Sequence, residues 1–503
     1  MEAQPDRAWK AGYYDHKIGK GGRMQATTRG QIMAISVARE HWSSRFAFLM
    51  AAIGSAVGLG NIWRFPFVAG ENGGGAFILI YVFTTTAIAL PILIAEIMLG
   101  RMGGQSPIGS VMAVARKHKK SVLWTLMAWG ATLGAFVVLS YYSVIGGWAL
   151  KYTTLAVTGG FSGLDGASSG GVFNNFIADP FALIGWHTAF MAINVGIVVW
   201  GLHKGIERAV VFLMPLLFVL LVGMVFYAAS TPGFDRAVDF LFTVDFSKVT
   251  SNTFLTAIGQ GFFSVSVALG AMMTYGAYLD EDVPIPQSAV IIAVADTLVA
   301  ILAGLAIFPL VFSFALEPSA GPGLIFVTVP IAFGQMDAGL LVGSAFFVLL
   351  SVAAVTSAIS LLEPAVAYME EALTWSRRAT AFLVGGACWA LGLATAFSFN
   401  DWSTYYPLAS MGVLVDQTIF DVFDFVVTSW VQPGVGIMMA IFAGWVLSQS
   451  TVKDALNLEN PDALWFRFWY FLLRVVCPIA VLLVFAGAVW PDFVASMMPN
   501  GVE

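Results

Sequence analysis

The chain carries little charge. Of its 503 residues only 11% are Asp, Glu, Lys or Arg, whereas 58% are hydrophobic, and the mean hydropathy is +0.82. No polar stretch is long enough for a soluble catalytic domain, so the composition is typical of a polytopic helical membrane protein. The net charge of −6 carries little information, because the charges of such a chain lie mostly in its loops.

Cysteine and metal-binding patterns are also scarce. Cys388 and Cys477 are the two cysteines, each in an apolar stretch, and their positions indicate neither a disulfide nor a metal site. The chain has no Asn-x-Ser/Thr acceptor, no His/Glu metal motif and no Ser–Lys pair of the kind an intramembrane enzyme would need. We therefore expect neither an enzyme nor a nucleic-acid-binding protein.

Apolar runs long enough to cross a bilayer recur along the chain. They follow a polar, mildly basic segment at 1–44, which predicts a cytoplasmic N-terminal tail. The segment 324–333 is apolar but too short to span, so it predicts a re-entrant or capping hairpin on the outside. Eleven spans are predicted, at 45–70, 76–99, 122–155, 182–200, 209–229, 254–279, 287–312, 340–369, 379–397, 418–447 and 464–490.

Basic residues concentrate on one side of this pattern. The tail and the loops after even-numbered spans hold most of them, whereas the opposite side has only Lys151, Arg236 and Lys248 in or near its loops. The positive-inside rule then predicts a cytoplasmic N-terminus, and eleven spans place the C-terminus outside. The loop at 280–288 carries no basic residue and departs from the trend.

The first span contains a cluster of glycines. Gly54, Gly58 and Gly60 fall within seven positions and are followed by Asn61 and Arg64. Each glycine lowers helix stability by about 1 kcal/mol relative to alanine, which predicts a break. Backbone groups freed in a bilayer must be satisfied by the protein or by bound ions. Close helix packing is the alternative, but the two polar residues favour a functional site.

The sixth span repeats this pattern. From Gly259 to Gly270, glycines again flank small polar residues. The first helix of each of two five-helix blocks, 45–229 and 254–447, is thus interrupted, which is typical of an inverted-repeat transporter with its site at the midplane. Because each block has an odd number of spans, spans one and six run in opposite directions. The eleventh span, 464–490, follows the second block.

Several polar side chains are predicted to lie deep in the membrane. Asp296 in the seventh span costs about 2.5–3.5 kcal/mol to insert, so we expect a partner, most simply a cation. The alternative is a protonated carboxyl group bonded to backbone. Thr356 and Ser357 lie in the eighth span and are candidates for a binding site. The alternative is that their hydroxyls bond to preceding carbonyls of their own helix. We expect Glu96 to brace exposed backbone rather than bind substrate.

Several strings in the chain resemble the neurotransmitter:sodium symporters. The resemblance covers residues 39 to about 490, and it implies a fold with broken first and sixth helices. The strings that carry it are Glu40-His41-Trp42, Gly54 to Pro66, Glu71 to Phe77, Gly259-Gln260, Phe262-Phe263 and Thr356-Ser357.

The resemblance implies two sodium ions. One site would use Gly54, Val57, Ala353, Thr356 and Ser357. The other would use Ala56, Asn61, Ser264, Asp296 and the substrate carboxylate. Both sets consist of oxygen ligands, which hard cations prefer.

The resemblance also implies an amino acid substrate, with residues that bind and enclose it. The substrate carboxylate would meet the N–H groups of Leu59 and Gly60 and the hydroxyl of Tyr142. The other substrate contacts would be Ala56, Val138, Phe263, Ser264, Ser266, Leu269, Ser357 and Leu361. The outer gate would be Arg64 and Asp424 with Phe263 as a lid, and the inner gate Arg39 and Glu371 with Trp42 and Tyr278 nearby.

Departures from the family pattern refine these expectations. Gly58 stands where monoamine transporters have an aspartate, so the substrate should bring its own carboxylate. Asp296 and Ala300 stand where chloride-dependent members have asparagine and serine, which predicts chloride independence. Ala268 stands where close relatives often have glycine, which favours aliphatic over large aromatic side chains. The chain has eleven predicted spans and lacks an external cysteine pair. In both features it resembles the prokaryotic members of the family, which implies a location in a prokaryotic inner (plasma) membrane.

We therefore expect a sodium-coupled symporter that imports a neutral, aliphatic or otherwise hydrophobic amino acid by alternating access. Its partners would be the amino acid, sodium and the bilayer; the oligomeric state stays open. The alternatives are a channel and an amino acid sensor that has the transporter fold without turnover. The complete set of gate residues favours turnover.

Overall fold

A computed structural model of the protein describes residues 40–318, 323–411, 414–458, 460 and 463–489. Most of the predicted 1–44 tail therefore lies outside the described residues. Within them, nine helices are long and apolar enough to cross a membrane, and the pair Arg45–Ala56 and Gly60–Glu71, bent by 46°, makes a tenth. The nine are Gly75–Gly103, Val122–Val157, Pro180–Val198, Leu202–Ala228, Ile285–Ser313, Gly339–Leu373, Arg377–Phe397, Ile419–Val446 and Leu464–Gly487.

The sixth predicted span is divided into two shorter helices. Ser251–Ser264 and Ala271–Ala277 flank an irregular stretch at 265–270, and neither half has the length of a span by itself. The first span breaks at 57–59, between Ala56 and the π-helical turn that starts at Gly60. The prediction of an all-helical fold with interrupted first and sixth helices is confirmed.

Shorter helices occupy several connections. The connection between the predicted third and fourth spans contains the helix Gly166–Ala178, and the segment predicted as a hairpin at 324–333 is the helix Leu324–Gln335. Three further helices, Pro107–Lys117, Phe234–Phe242 and Gln449–Ala455, were not predicted. A search for long apolar runs misses such helices, because they are short and have a polar face. Ser106 and Ser448 cap two of them, whereas Phe234–Phe242 begins after Gly233 without a side-chain cap.

The first span lies in close contact with the fifth and eighth spans. A Cβ atom at Gly54 would stand 3.0 Å from Met214 Sδ and 3.2 Å from Thr356 Cβ. Gly54 lies inside the helix Arg45–Ala56, so it serves close packing, whereas Gly58 lies in the break. Both interpretations of the glycine cluster thus apply, at different positions.

A buried ion pair joins the eighth and ninth spans. Arg377 Nη1 donates to Glu363 Oε1 at 2.8 Å, Nη2 bonds the other carboxylate oxygen, and Nε donates to the Val198 carbonyl at 3.1 Å. The Tyr278 hydroxyl donates to Glu363 Oε1 at 2.9 Å. The Glu363 side chain is only 1% exposed. One carboxylate thus connects the sixth, eighth and ninth spans.

Candidate functional site

The break in the first span presents backbone groups to the protein interior. Val57 leaves the helix with an extended ψ of 103°. The Leu59 N–H donates to the Tyr142 hydroxyl at 3.2 Å, and the Gly58 N–H donates to Asn61 Oδ1 at 3.1 Å. Such helix-end N–H groups carry a partial positive charge and can bind an anion.

The break in the sixth span is held by a carboxylate from the second span. Glu96 accepts the N–H groups of Ala268 at 2.8 Å and Gly270 at 3.0 Å. The expectation that Glu96 braces exposed backbone agrees with these bonds. The Ser266 hydroxyl donates to the Ser55 carbonyl at 3.0 Å, so the two breaks are bonded to each other.

A cavity lies between the two breaks. Leu59, Tyr142 and Ser357 place polar atoms on it, whereas Val138 and Leu361 contribute an apolar wall. None of its lining side chains is charged. The lining residues are Ala56, Gly58, Leu59, Gly60, Val138, Tyr142, Phe263, Ser266, Leu269, Ser357 and Leu361.

The predicted substrate residues nearly coincide with this lining. Ser264 is the exception: its hydroxyl donates to both carboxylate oxygens of Asp296, at 3.0 and 2.8 Å, and it does not line the cavity. Gly58 lines the cavity although it was not among the predicted contacts. The sequence had singled out Gly58 for a different reason, namely that monoamine transporters have an aspartate at this position.

One candidate cation site lies between the first and eighth spans. The Ser357 hydroxyl lies 3.2 to 3.3 Å from three carbonyl oxygens, those of Gly54, Ser55 and Val57. Thr356 instead donates to carbonyls of its own helix, including Ala353 at 3.1 Å. Ser357 thus faces the first span as a binding-site residue would, whereas Thr356 bonds to preceding carbonyls of its own helix. The convergence of carbonyl and hydroxyl oxygens suits a hard cation.

A second candidate cation site surrounds Asp296. Asn61 Nδ2 donates to Asp296 Oδ1 at 2.7 Å and to the Ser264 hydroxyl at 2.9 Å, and all three residues are buried. Presenting the Asn61 amide oxygen to a cation therefore requires this amide to turn. The Tyr81 hydroxyl donates to Asp296 Oδ2 at 3.0 Å. Sequence reasoning missed Tyr81, whose surroundings in the second span are apolar.

The predicted outer-gate residues face a common vestibule. A cavity of about 470 Å³ is lined by Arg64, Asp424 and Phe263, among others. The Arg64 guanidinium carbon lies 4.5 Å from the centroid of the Phe263 ring, and Asp424 accepts a hydrogen bond from Tyr141 at 3.0 Å. Each gate residue is thus held by an aromatic side chain.

The predicted inner-gate residues fall into two groups. Trp42 donates through its indole N–H to the Tyr275 carbonyl at 3.0 Å, and its backbone N–H donates to the Tyr278 carbonyl at 3.1 Å. Trp42 and Tyr278 are therefore neighbours, and their place beside an inner gate stays a prediction. Glu371 accepts the Ser106 N–H at 2.6 Å, while Arg39 lies outside the described residues.

We expect Gly58→Ala to weaken ligand binding by about tenfold or more, because overpacking of this kind costs about 1–3 kcal/mol. Its Cβ would stand 2.3 Å from Ser357 Oγ and 2.9 Å from the Tyr142 hydroxyl oxygen. Saturation binding of radiolabelled leucine to purified protein measures the loss. Gly223→Ala is the matched control, since its Cβ would meet no atom of the described residues within 4 Å. Equal affinity in both variants would contradict the prediction.

The sequence profile described as "Sodium:neurotransmitter symporter family" matches residues 39–162 and 179–492. The chain belongs to this family. It is 36% identical over 449 residues to the sodium-dependent transporter YhdH of Bacillus subtilis (strain 168), an alignment that covers 89% of this chain and 97% of the relative. A sodium-dependent transporter of Haemophilus influenzae is 31% identical over 458 residues, with the same two coverages.

This symporter also resembles a solved structure. The crystal structure of MhsT in complex with L-phenylalanine matches it with a TM-score of 0.82 and 40% identity, covering 90% of this chain and 100% of MhsT. The resemblance expected from the sequence is therefore confirmed. The symporter is a multi-pass membrane protein of a family of sodium-dependent transporters, not of an enzyme family.

Proposed function

We propose that this symporter imports a neutral, hydrophobic amino acid together with two sodium ions. The observation that carries the proposal is the cavity between the two breaks. The Leu59 N–H and the Tyr142 hydroxyl in its lining suit a carboxylate, and the remaining lining side chains are mostly apolar and uncharged. The L-phenylalanine bound to MhsT supports the substrate class. The aliphatic preference argued from Ala268 stays a prediction.

The sodium ions would occupy the two clusters of oxygen atoms. Ser357 and the carbonyls of Gly54 and Val57 support one site, with Ala353 and Thr356 completing it. Asp296, Ser264 and the Ala56 carbonyl support the other once the Asn61 amide turns. Asp296 supplies a fixed negative charge beside the second ion, so we propose that transport needs no chloride.

Transport would proceed by alternating access. The first and sixth spans would rock against the remaining helices of the two repeats, 45–229 and 254–447. We place the protein in a prokaryotic plasma membrane with the N-terminus in the cytoplasm and the C-terminus outside. Two sodium ions moving down about 100 mV release about 4.6 kcal/mol. With a roughly tenfold sodium gradient the total is about 7 kcal/mol, enough for about 10⁵-fold accumulation at perfect coupling.

Uptake of radiolabelled leucine into proteoliposomes tests the proposal. External sodium is replaced by potassium in one arm and chloride by gluconate in another, and empty liposomes are the control. We expect accumulation that is lost without sodium and unchanged without chloride. A chloride requirement would refute only the role given to Asp296. Sodium-dependent binding of neutral amino acids without uptake of any of them would favour the sensor alternative.

A further inference from the structure

The break in the sixth span has a strained backbone. Ser266, Ala268 and Gly270 have φ angles of 54°, 65° and 79°, so three of five consecutive residues are left-handed and two of them carry a side chain. Such conformations persist only where surrounding contacts fix them. Glu96 fixes the N–H groups of this stretch, as described above. The Val267 carbonyl of this stretch and the Phe262 carbonyl just before it have a different partner.

That partner is a glutamine of the tenth span. Gln432 is 2% exposed, and its side-chain Nε2 donates to the Phe262 carbonyl at 3.1 Å and to the Val267 carbonyl at 2.9 Å. One turn further along, a Cβ at Gly436 would stand 2.8 Å from Phe262 Cε1. The tenth span therefore lies directly against the sixth at this point.

The two carbonyls that Gln432 holds enclose a functionally important stretch. Between them lie Phe263 and Ser266, which line the cavity, and Ser264, which bonds Asp296. A side chain that fixes both ends of this stretch fixes the positions of these three residues relative to the first span. Gln432 itself does not line the cavity.

We propose that Gln432 is a positioning residue for sodium and substrate binding. It holds the sixth-span break in the conformation that brings the Ser264 hydroxyl to Asp296 and the Phe263 ring to the cavity. Asp424 of the outer gate belongs to the same tenth span, Ile419–Val446. Gln432 therefore links the gate helix to the binding site. This inference rests on the proposed function.

The test compares two variants that each remove a buried carboxamide. Gln432→Met keeps the side-chain length and removes both donors. Asn194→Leu removes a similarly buried amide in the fourth span, whose Nδ2 bonds, among the described residues, only the Phe190 carbonyl of its own helix. Binding of radiolabelled leucine to purified protein is measured as a function of sodium concentration, beside the thermal stability of each variant.

We expect Gln432→Met to raise the half-saturating sodium concentration about tenfold, with substantial binding recovered at saturating sodium, and Asn194→Leu to change it by less than about twofold. A purely structural role would lower stability in both variants and leave the sodium dependence unchanged. Equal sodium dependence in wild type and Gln432→Met would overturn the proposal.

A second variant covers the case in which Gln432→Met does not fold. Gln432→Asn keeps the amide but withdraws it by one methylene, so it cannot reach both carbonyls. It should shift the sodium dependence in the same direction by a smaller factor, and a wild-type curve would overturn the proposal. Wild-type protein that binds no neutral amino acid in sodium would instead overturn the proposed function, and with it this inference.

Discussion

Asp296→Asn should weaken sodium activation of uptake by about 100-fold or more. Changing an outer-shell partner of a metal ligand costs about 10- to 100-fold in affinity, and we propose Asp296 as a direct ligand. The variant keeps the shape of the side chain but removes the charge that offsets the ion in a buried site. Uptake into proteoliposomes over a range of sodium concentrations measures the effect.

The chloride dependence of a second variant separates charge from geometry. Asp296→Asn combined with Ala300→Ser supplies the residues of the chloride-dependent family pattern. We expect it to regain uptake only when chloride is present, whereas Ala300→Ser alone should remain chloride-independent. If Asp296→Asn kept wild-type sodium dependence in gluconate, the carboxylate would have no role in ion binding.

Glu363→Ala should lower the free energy of unfolding by about 3–5 kcal/mol, because it leaves a buried arginine without its main partner. Arg377 is only 17% exposed, and its Nη1 lies 3.5 Å from a second carboxylate oxygen, Oε2 of Glu370, a side chain that is itself partly exposed. The Tyr278 hydroxyl loses its acceptor at the same time. Thermal unfolding of detergent-solubilised protein, followed by gel filtration with fluorescence detection, measures the loss.

Removing both charges provides the matched control. Glu363→Leu with Arg377→Met leaves no unpaired charge, and apolar replacements of buried ion pairs are often neutral or stabilising. We therefore expect the double variant to be more stable than Glu363→Ala. If the double variant were less stable, the Arg377 contacts with backbone would outweigh the ion pair.

The sequence predicted the spans and both breaks because apolar length and glycine clusters are local signals. It could not show which glycine packs and which one opens the helix, since that depends on the distance from Gly54 to Met214. Gln432 and Tyr81 were missed for a related reason. Each is a single polar residue whose role appears only when another helix is placed against it. The ion pair of Glu363 and Arg377 likewise depends on how the eighth and ninth spans meet.

The Phe263 ring borders two chambers at once, the cavity between the breaks and the wider vestibule beyond it. Under the proposed function, the angle of the Phe263 ring therefore helps to set the largest substrate side chain that fits the cavity between the breaks. Because Arg64 lies against the same ring, a bulky substrate that turns the ring outward also displaces the guanidinium. Under the proposed function, the orientation of the Phe263 ring would thus couple the size of the substrate to the closure of the outer gate.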